Sequence, residues 1–122
     1  MDKRPAEWRS YAPADDGKTV RIATTMTGLA PCRVDVDDQP DAVTITLYEH
    51  LPESGVYHPI GVRAVFEVAL PTPPAGRPVI DGASGERRGE TQSVEGSPTR
   101  LPVGEDFSWK ELTGRHWFGQ KS

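Results

Sequence analysis

The chain has 122 residues and a formal net charge of −4; 35% of its residues are hydrophobic and 26% are charged. Its length fits one domain. A mildly acidic chain lacks the excess positive charge that drives binding to phosphate backbones, so we expect no nucleic-acid partner. No apolar run approaches about 18 residues, so we expect no transmembrane helix and no membrane partner.

The first 18 residues are charged and contain proline, with Trp8 and Tyr11 as their only large apolar side chains. This composition predicts an irregular N-terminal arm over residues 1–18. Its basic residues are not followed by the apolar stretch of a secretory signal. We therefore expect a soluble cytoplasmic protein, or an exported one whose signal has been removed. Cys32 is the single cysteine, so no intramolecular disulfide can form.

Residues 19–82 alternate between apolar and polar side chains with a period of two, which is typical of half-buried β-strands. The apolar positions of four such runs are Val20 and Ile22; Cys32, Val34 and Val36; Val43, Ile45 and Leu47; and Val62, Ala64, Phe66, Val68 and Leu70. Turn-forming residues bound each run. Clean alternation is the pattern of an antiparallel sheet with one buried face. A shorter run, RPVID, predicts a fifth strand.

These runs predict a mainly β fold, namely an antiparallel β-sandwich or small barrel of five to seven short strands, with an irregular N-terminal arm and a long C-terminal arm. The β domain spans residues 19–82. Residues 83–106 are rich in Gly, Pro and Ser and predict a polar connection. Residues 107–122 form an aromatic C-terminal segment. In it, the Ser-x-x-Glu sequence at residues 108–111 predicts the capped start of a short helix.

The residues from 18 to about 88 resemble a type of small actinobacterial β-rich protein. The resemblance lies in the order of Pro31-Cys32, the run VTITLYE, an aliphatic strand ending at Leu70, and the stretch PPAGRPVIDGASG. It implies a compact β domain, often exported, whose cysteine pairs with a second one before the aliphatic strand. This chain has Tyr57 and His58 in that region and no second cysteine, so the resemblance does not carry the disulfide over. It implies no activity.

The stretch LYEHLPESGVYH contains four side chains suited to metal binding or proton transfer: Glu49, His50, Glu53 and His58. It lies between two alternating strands, and PESG is a good turn, so the stretch predicts a solvated hairpin tip. Adjacent residues of a strand point to opposite faces, which separates Glu49 from His50. The two histidines can face each other across the hairpin, but a zinc site requires a third protein ligand.

Three further motifs favour structural roles over chemistry. The acidic stretch DVDDQPD lacks the glycine of a calcium-binding EF-hand loop and suits a turn. Cys32 lies on an apolar face, where a thiol behaves as a small hydrophobic group. The stretch PVIDGASGE matches no phosphate-binding pattern and predicts a turn that ends a strand. We therefore expect no metal and no cofactor.

Two aromatic pairs near the C-terminus, Phe107 and Trp109 and then Trp117 and Phe118, are costly to leave in water. They suit a lid that packs back on the sheet. Alternatively, Trp109, Trp117 and Phe118 anchor a partner, because tryptophan is common at interface hot spots. The leading hypothesis is a non-catalytic protein-binding or assembly module, either a structural subunit or an inhibitor-type protein, with a protein partner or self-assembly. The alternative is a small enzyme or metal-binding protein that uses the hairpin histidines with Glu49 or Glu53.

Overall fold

A computed structural model describes residues 3–26, 29–51 and 62–114, which form nine strands and one short helix. The strands are β1 (Lys3–Ala6), β2 (Trp8–Pro13), β3 (Thr19–Met26), β4 (Pro31–Gln39), β5 (Ala42–His50), β6 (Val62–Ala69), β7 (Val79–Asp81), β8 (Glu86–Glu90) and β9 (Thr99–Arg100); the helix is α1 (Trp109–Thr113). The predicted mainly β class is confirmed. Within these ranges, no helix has the length and apolar character needed to cross a membrane.

The nine strands occupy eight positions in one curled, open half-barrel sheet. Its order is β4, β5, then β1 and β7 together, then β8, β2, β3, β6 and β9. The strands β1 and β7 share a position because they pair with different halves of β5. Among the described residues, Val34 of the edge strand β4 also forms an isolated bridge with Val103, which follows β9 in the chain. The prediction of a sandwich or barrel of five to seven strands is therefore wrong.

The additional strands lie where the sequence predicted irregular structure. The strands β1 and β2 lie within the predicted N-terminal arm, and β8 and β9 lie within residues 83–106. The prediction of an irregular arm is wrong for β1 and β2. A bulge between Trp8 and Ser10 breaks the period of two, so Trp8 and Tyr11, three residues apart, are both buried. Strand β8 has the sequence ERRGE, which contains no apolar side chain and therefore lacks the alternation that predicts a strand.

The long strand pairs are antiparallel, as predicted: β3 pairs with β6 over eight residues, and β4 pairs with β5 along nearly its whole length. The short pairs β2–β8, β5–β7 and β6–β9 are parallel, so the sheet is mixed. The two strands of each parallel pair come from distant parts of the chain. The alternation of side chains within one strand therefore does not predict which strand it pairs with.

The core fills the inside of the curl. Strand β5 alternates strictly, and Val43, Ile45 and Leu47 are fully buried, as their pattern predicted. The other fully buried apolar side chains are Trp8, Val20, Ile22, Cys32, Val34, Phe66, Val68, Val79 and Leu101. Val65 is also buried although it lies on the outer face of β6, because Gly96 crosses over it.

The hairpin of β7 and β8 enters the sheet as a wedge between β5 and β2. The Trp8 indole N–H donates to the Ile45 carbonyl at 2.9 Å, and the Gly82 N–H donates to the same carbonyl at 2.9 Å. A side chain at Gly82 would place its Cβ 1.7 Å from Thr46 Oγ1 and 2.8 Å from Thr46 Cβ. Glycine is therefore required where the wedge touches β5.

The wedge contains a fully buried carboxylate, Asp81. It accepts hydrogen bonds from the Arg88 guanidinium at 2.9 Å, from the Ala83 N–H at 3.0 Å and from the Ser84 hydroxyl at 3.1 Å. The predicted turn at the end of β7 is confirmed, and the Gly85 N–H closes it on the Asp81 carbonyl at 2.7 Å. A buried charge persists only where it is paired and hydrogen-bonded, and this arrangement supplies both.

Acidification below about pH 4 is expected to loosen the loop between β6 and β7. The Arg77 guanidinium and the Thr72 hydroxyl bond the Asp38 carboxylate and lower its pKa. Because the folded-state pKa is lowered, the stabilisation is complete above the unfolded-state pKa and is lost as the pH falls through the folded-state value. Urea midpoints measured between pH 7 and pH 2.5 should fall less in Asp38→Asn than in the wild type. Parallel curves would contradict this role of Asp38.

Candidate binding groove

The structure separates two residues of the predicted hairpin site. Glu49 is 2% exposed and continues the inward face of β5, where it accepts a hydrogen bond from Arg4 Nε at 3.0 Å. His50, the next residue, is half-buried on the opposite face, and its backbone lies opposite Lys3 in the pairing of β5 with β1. The expected separation of these two residues is confirmed. The predicted hairpin is wrong, because β5 pairs with β4, β1 and β7, whereas β6 pairs with β3 and β9. Glu53 and His58 lie outside the described residues, so an approach of the two histidines stays a prediction.

The other chemical motifs lie in structural settings. Asp35, Asp37 and Asp38 belong to β4 and are bonded to Arg33, Gln39 and Arg77 respectively. In the three ranges that the structure describes, no three His, Cys, Asp or Glu side chains are grouped so that they could hold a metal ion. Cys32 is fully buried, and burial raises the pKa of its thiol, so the reactive thiolate is disfavoured.

The aromatic C-terminal segment is partly described. The Ser108 hydroxyl accepts the Glu111 N–H, and Gly114 ends α1 in the left-handed conformation, so the predicted short helix is confirmed. The Trp109 ring is 9% exposed and packs edge-on against Phe66, with 5.9 Å between ring centroids. That contact holds α1 to the sheet. Trp117 and Phe118 lie outside the described residues, and their role as anchors stays a prediction.

The arginines of the described residues divide into two groups. Six form ion pairs with carboxylates: Arg4, Arg21, Arg33, Arg77, Arg88 and Arg100. Within the described ranges, Arg9, Arg63 and Arg87 form neither an ion pair nor a side-chain hydrogen bond, and all three are exposed. Free guanidinium groups in a chain of net charge −4 mark a surface available to an anion.

Two of these free arginines, Arg9 and Arg63, line one groove. We call it the arginine groove. One wall is the outer face of strands β2, β3 and β6. The other wall is the segment 91–98, which we call the strap. The volume of the groove is about 500 Å³, within the roughly 300–1,000 Å³ of ligand sites. Its polar and charged lining includes Arg9, Ser10, Thr25, Arg63, Ser93 and Glu95.

Local strand structure places both arginines. Arg9 is the additional residue of the β2 bulge, the irregularity that also directs Trp8 and Tyr11 inward. Arg63 lies opposite Thr25 on the outer face of β6. Strand β3 runs between β2 and β6, so the two arginine backbones are two strand spacings apart, about 10 Å.

The strap crosses the outer face of the sheet from β2 to β6. At its start, the Thr91 N–H donates to the Tyr11 carbonyl at 2.8 Å; after its end, Thr99 pairs with Phe66 of β6. At the crossing point, Gly96 has a φ of 121°, and a Cβ there would lie 3.0 Å from Val65 Cγ2. Glycine therefore lets the strap lie directly on the sheet and bound one side of the groove.

A second depression of about 410 Å³ adjoins the groove and shares Arg9 and Thr25 with it. Its lining also includes the partly buried ion pair of Arg4 and Glu49, together with Glu7. Glu7 is bonded to Arg88 at 3.3 Å. Both Arg4 and Glu7 have partners of opposite charge. The unpaired positive charges of the two adjoining depressions are therefore those of Arg9 and Arg63.

The groove is suited to holding an anion and poorly suited to moving protons. Its titratable lining groups are Arg9, Arg63 and Glu95. A guanidinium stays charged at all physiological pH values and presents several N–H donors, so it binds carboxylates well and is a poor acid or base. Comparison of the chain with protein-family models, curated proteins and solved structures finds no match.

Proposed function

We propose that the protein is a non-catalytic protein-binding module whose partner docks on the arginine groove. One observation carries the proposal: Arg9 and Arg63 are exposed and, among the described residues, free of ion pairs, although most arginines described in this acidic chain are paired. Arginine is enriched at protein interfaces, where its planar group stacks and forms several directed hydrogen bonds at once.

The second hypothesis, an enzyme or metal-binding protein using His50, His58 and Glu49 or Glu53, has less support. Glu49 is buried and ion-paired with Arg4, so using it as a metal ligand or base would leave the Arg4 guanidinium without that carboxylate. Breaking such a pair is costly because a partly buried charge loses its compensation. The binding proposal requires no rearrangement of this kind.

Site-directed photocrosslinking tests the binding proposal. A photoreactive amino acid replaces exposed Ser93 in the strap or, as a control, exposed Lys110 on α1. In the cells from which the protein comes, we expect a discrete adduct from position 93 and none from position 110. The adduct should disappear when both Arg9 and Arg63 are changed to glutamine. An adduct of twice the chain mass would identify a second copy as the partner.

Three results would contradict the proposal: no adduct from position 93, equal adducts from both positions, or an adduct that survives the double substitution. Both arginines are exposed and unpaired within the described residues, so the double variant should fold normally. Its circular dichroism spectrum and urea midpoint should match those of the wild type, since exposed substitutions of this kind usually change stability by less than about 0.5 kcal/mol.

A further inference from the structure

We infer that the arginine groove binds an extended peptide segment carrying two carboxylates at positions i and i+2. The inference rests on the proposed function and specifies the chemistry of the partner. It follows from the charge of the groove, the spacing of its two arginines and the composition of its floor.

The charge of the groove opposes that of the whole chain. Its lining has two free guanidinium groups and one carboxylate, that of Glu95, whereas the chain has a net charge of −4. Arginine and carboxylate form bidentate, charge-assisted hydrogen bonds, the strongest polar contacts that such a surface can offer. An acidic segment is therefore drawn to this groove and repelled by the acidic remainder of the protein.

The spacing of the arginines favours an extended ligand. The backbones of Arg9 and Arg63 lie about 10 Å apart across β3. In an extended peptide, the side chains at i and i+2 point to the same face and are about 7 Å apart. Long, flexible arginine side chains can close the remaining difference, whereas carboxylates on adjacent residues point to opposite faces and cannot both reach the groove.

The floor favours a peptide over a phosphate group. Between the two arginines, the groove floor has the small apolar side chain of Ala23, with Val65 and Val94 beside it, whereas the Ala64 side chain faces the core. An apolar or small residue between two acidic ones can lie on this floor. Hydroxyls of Thr25, Ser93 and Ser97 line the rim and can bond the peptide backbone. A free phosphate would use the guanidinium groups and leave the apolar floor uncovered.

A peptide array tests the inference with the labelled full-length protein. Short peptides carry Glu-x-Glu, adjacent Glu-Glu or Gln-x-Gln, with small or apolar residues elsewhere. We expect Glu-x-Glu to be retained roughly 10-fold more than Gln-x-Gln and several-fold more than adjacent Glu-Glu. The retention should weaken as salt rises, since the contacts involve exposed charges.

Four variants distinguish a binding role from a structural one. Arg9→Gln and Arg63→Gln should each lower Glu-x-Glu retention roughly 3- to 10-fold, and Glu95→Gln should raise it roughly 2-fold because a like charge is removed. Arg87→Gln is the matched control: Arg87 is exposed and equally free among the described residues, but lies on β8 outside the groove. It should leave retention unchanged.

Equal retention of Glu-x-Glu and Gln-x-Gln would overturn the inference. So would binding of inorganic phosphate that depends on both arginines, if no preference for Glu-x-Glu accompanies it. The photocrosslinking experiment and the peptide array can fail independently of each other. Adducts from position 93 without carboxylate selection would refute the acidic ligand and leave the binding module intact, whereas loss of both results would refute the proposed function as well.

Discussion

Replacing Trp8 with alanine is expected to lower the free energy of unfolding by about 3–5 kcal/mol. The Trp8 side chain is fully buried at the point where the wedge of β7 and β8 separates β2 from β5. Its ring packs edge-on against Tyr11 at 6.3 Å, and its indole N–H donates to the Ile45 carbonyl. Alanine would leave a large cavity beside a strand junction that cannot collapse without moving three strands.

Trp8→Phe separates packing from hydrogen bonding. Phenylalanine fills much of the space but has no N–H donor. The Ile45 carbonyl would still accept the Gly82 N–H at 2.9 Å, so we expect a smaller loss of about 1–2 kcal/mol. Far-ultraviolet circular dichroism in urea measures both variants without relying on tryptophan fluorescence. A loss below about 1 kcal/mol for Trp8→Ala would show that Trp8 does not hold the junction.

Local patterns predicted the long strands because their signal lies within each strand. Val43, Ile45 and Leu47 alternate with polar residues and are buried as expected. The same rule failed at β2, where the bulge at Arg9 places two buried side chains three residues apart. It also failed at β8, whose position depends on pairing with β7 and β2 rather than on side chains of its own.

The arginine groove shows why the site was harder to predict than the strands. Arg21 and Arg63 have similar surroundings in sequence, VRI and VRA, and both lie on outer faces of the sheet. Register makes the difference. Arg21 lies opposite Glu67 and pairs with it at 3.0 Å, whereas Arg63 lies opposite Thr25 and, among described residues, has no carboxylate partner. Whether an arginine is free depends on its neighbour across the sheet, which a single strand does not reveal.

The turn after β7 was predicted correctly, but the buried charge within it was not. Gly82 and Gly85 signalled the turn, since glycine is typical of tight connections. Asp81 has the local sequence of a solvent-exposed turn residue, yet it is fully buried because the hairpin is wedged between two other strands. Its burial follows from tertiary packing, which turn propensity does not include.

Asp81→Ala is expected to destabilise the protein by about 3 kcal/mol or more, because it breaks a buried ion pair from one side. Arg88 would keep contacts to the exposed carboxylates of Glu7 and Glu86, each at 3.3 Å, but would lose its buried partner at 2.9 Å. Arg88→Met, which leaves the Asp81 carboxylate without its guanidinium, is expected to cost a similar amount. Urea unfolding of each variant gives the two values.

The double variant Asp81→Ala with Arg88→Met decides what the pair contributes. If the ion pair holds the wedge, the double variant should be more stable than the sum of the single losses predicts, by about 2 kcal/mol or more, because no uncompensated charge remains. Its residual loss reports the other contacts of both side chains: those of Asp81 to the Ala83 N–H and the Ser84 hydroxyl, and those of Arg88 to Glu7, Glu86 and Ser84. Strict additivity would show that Asp81 and Arg88 contribute independently and that their ion pair does not hold the wedge.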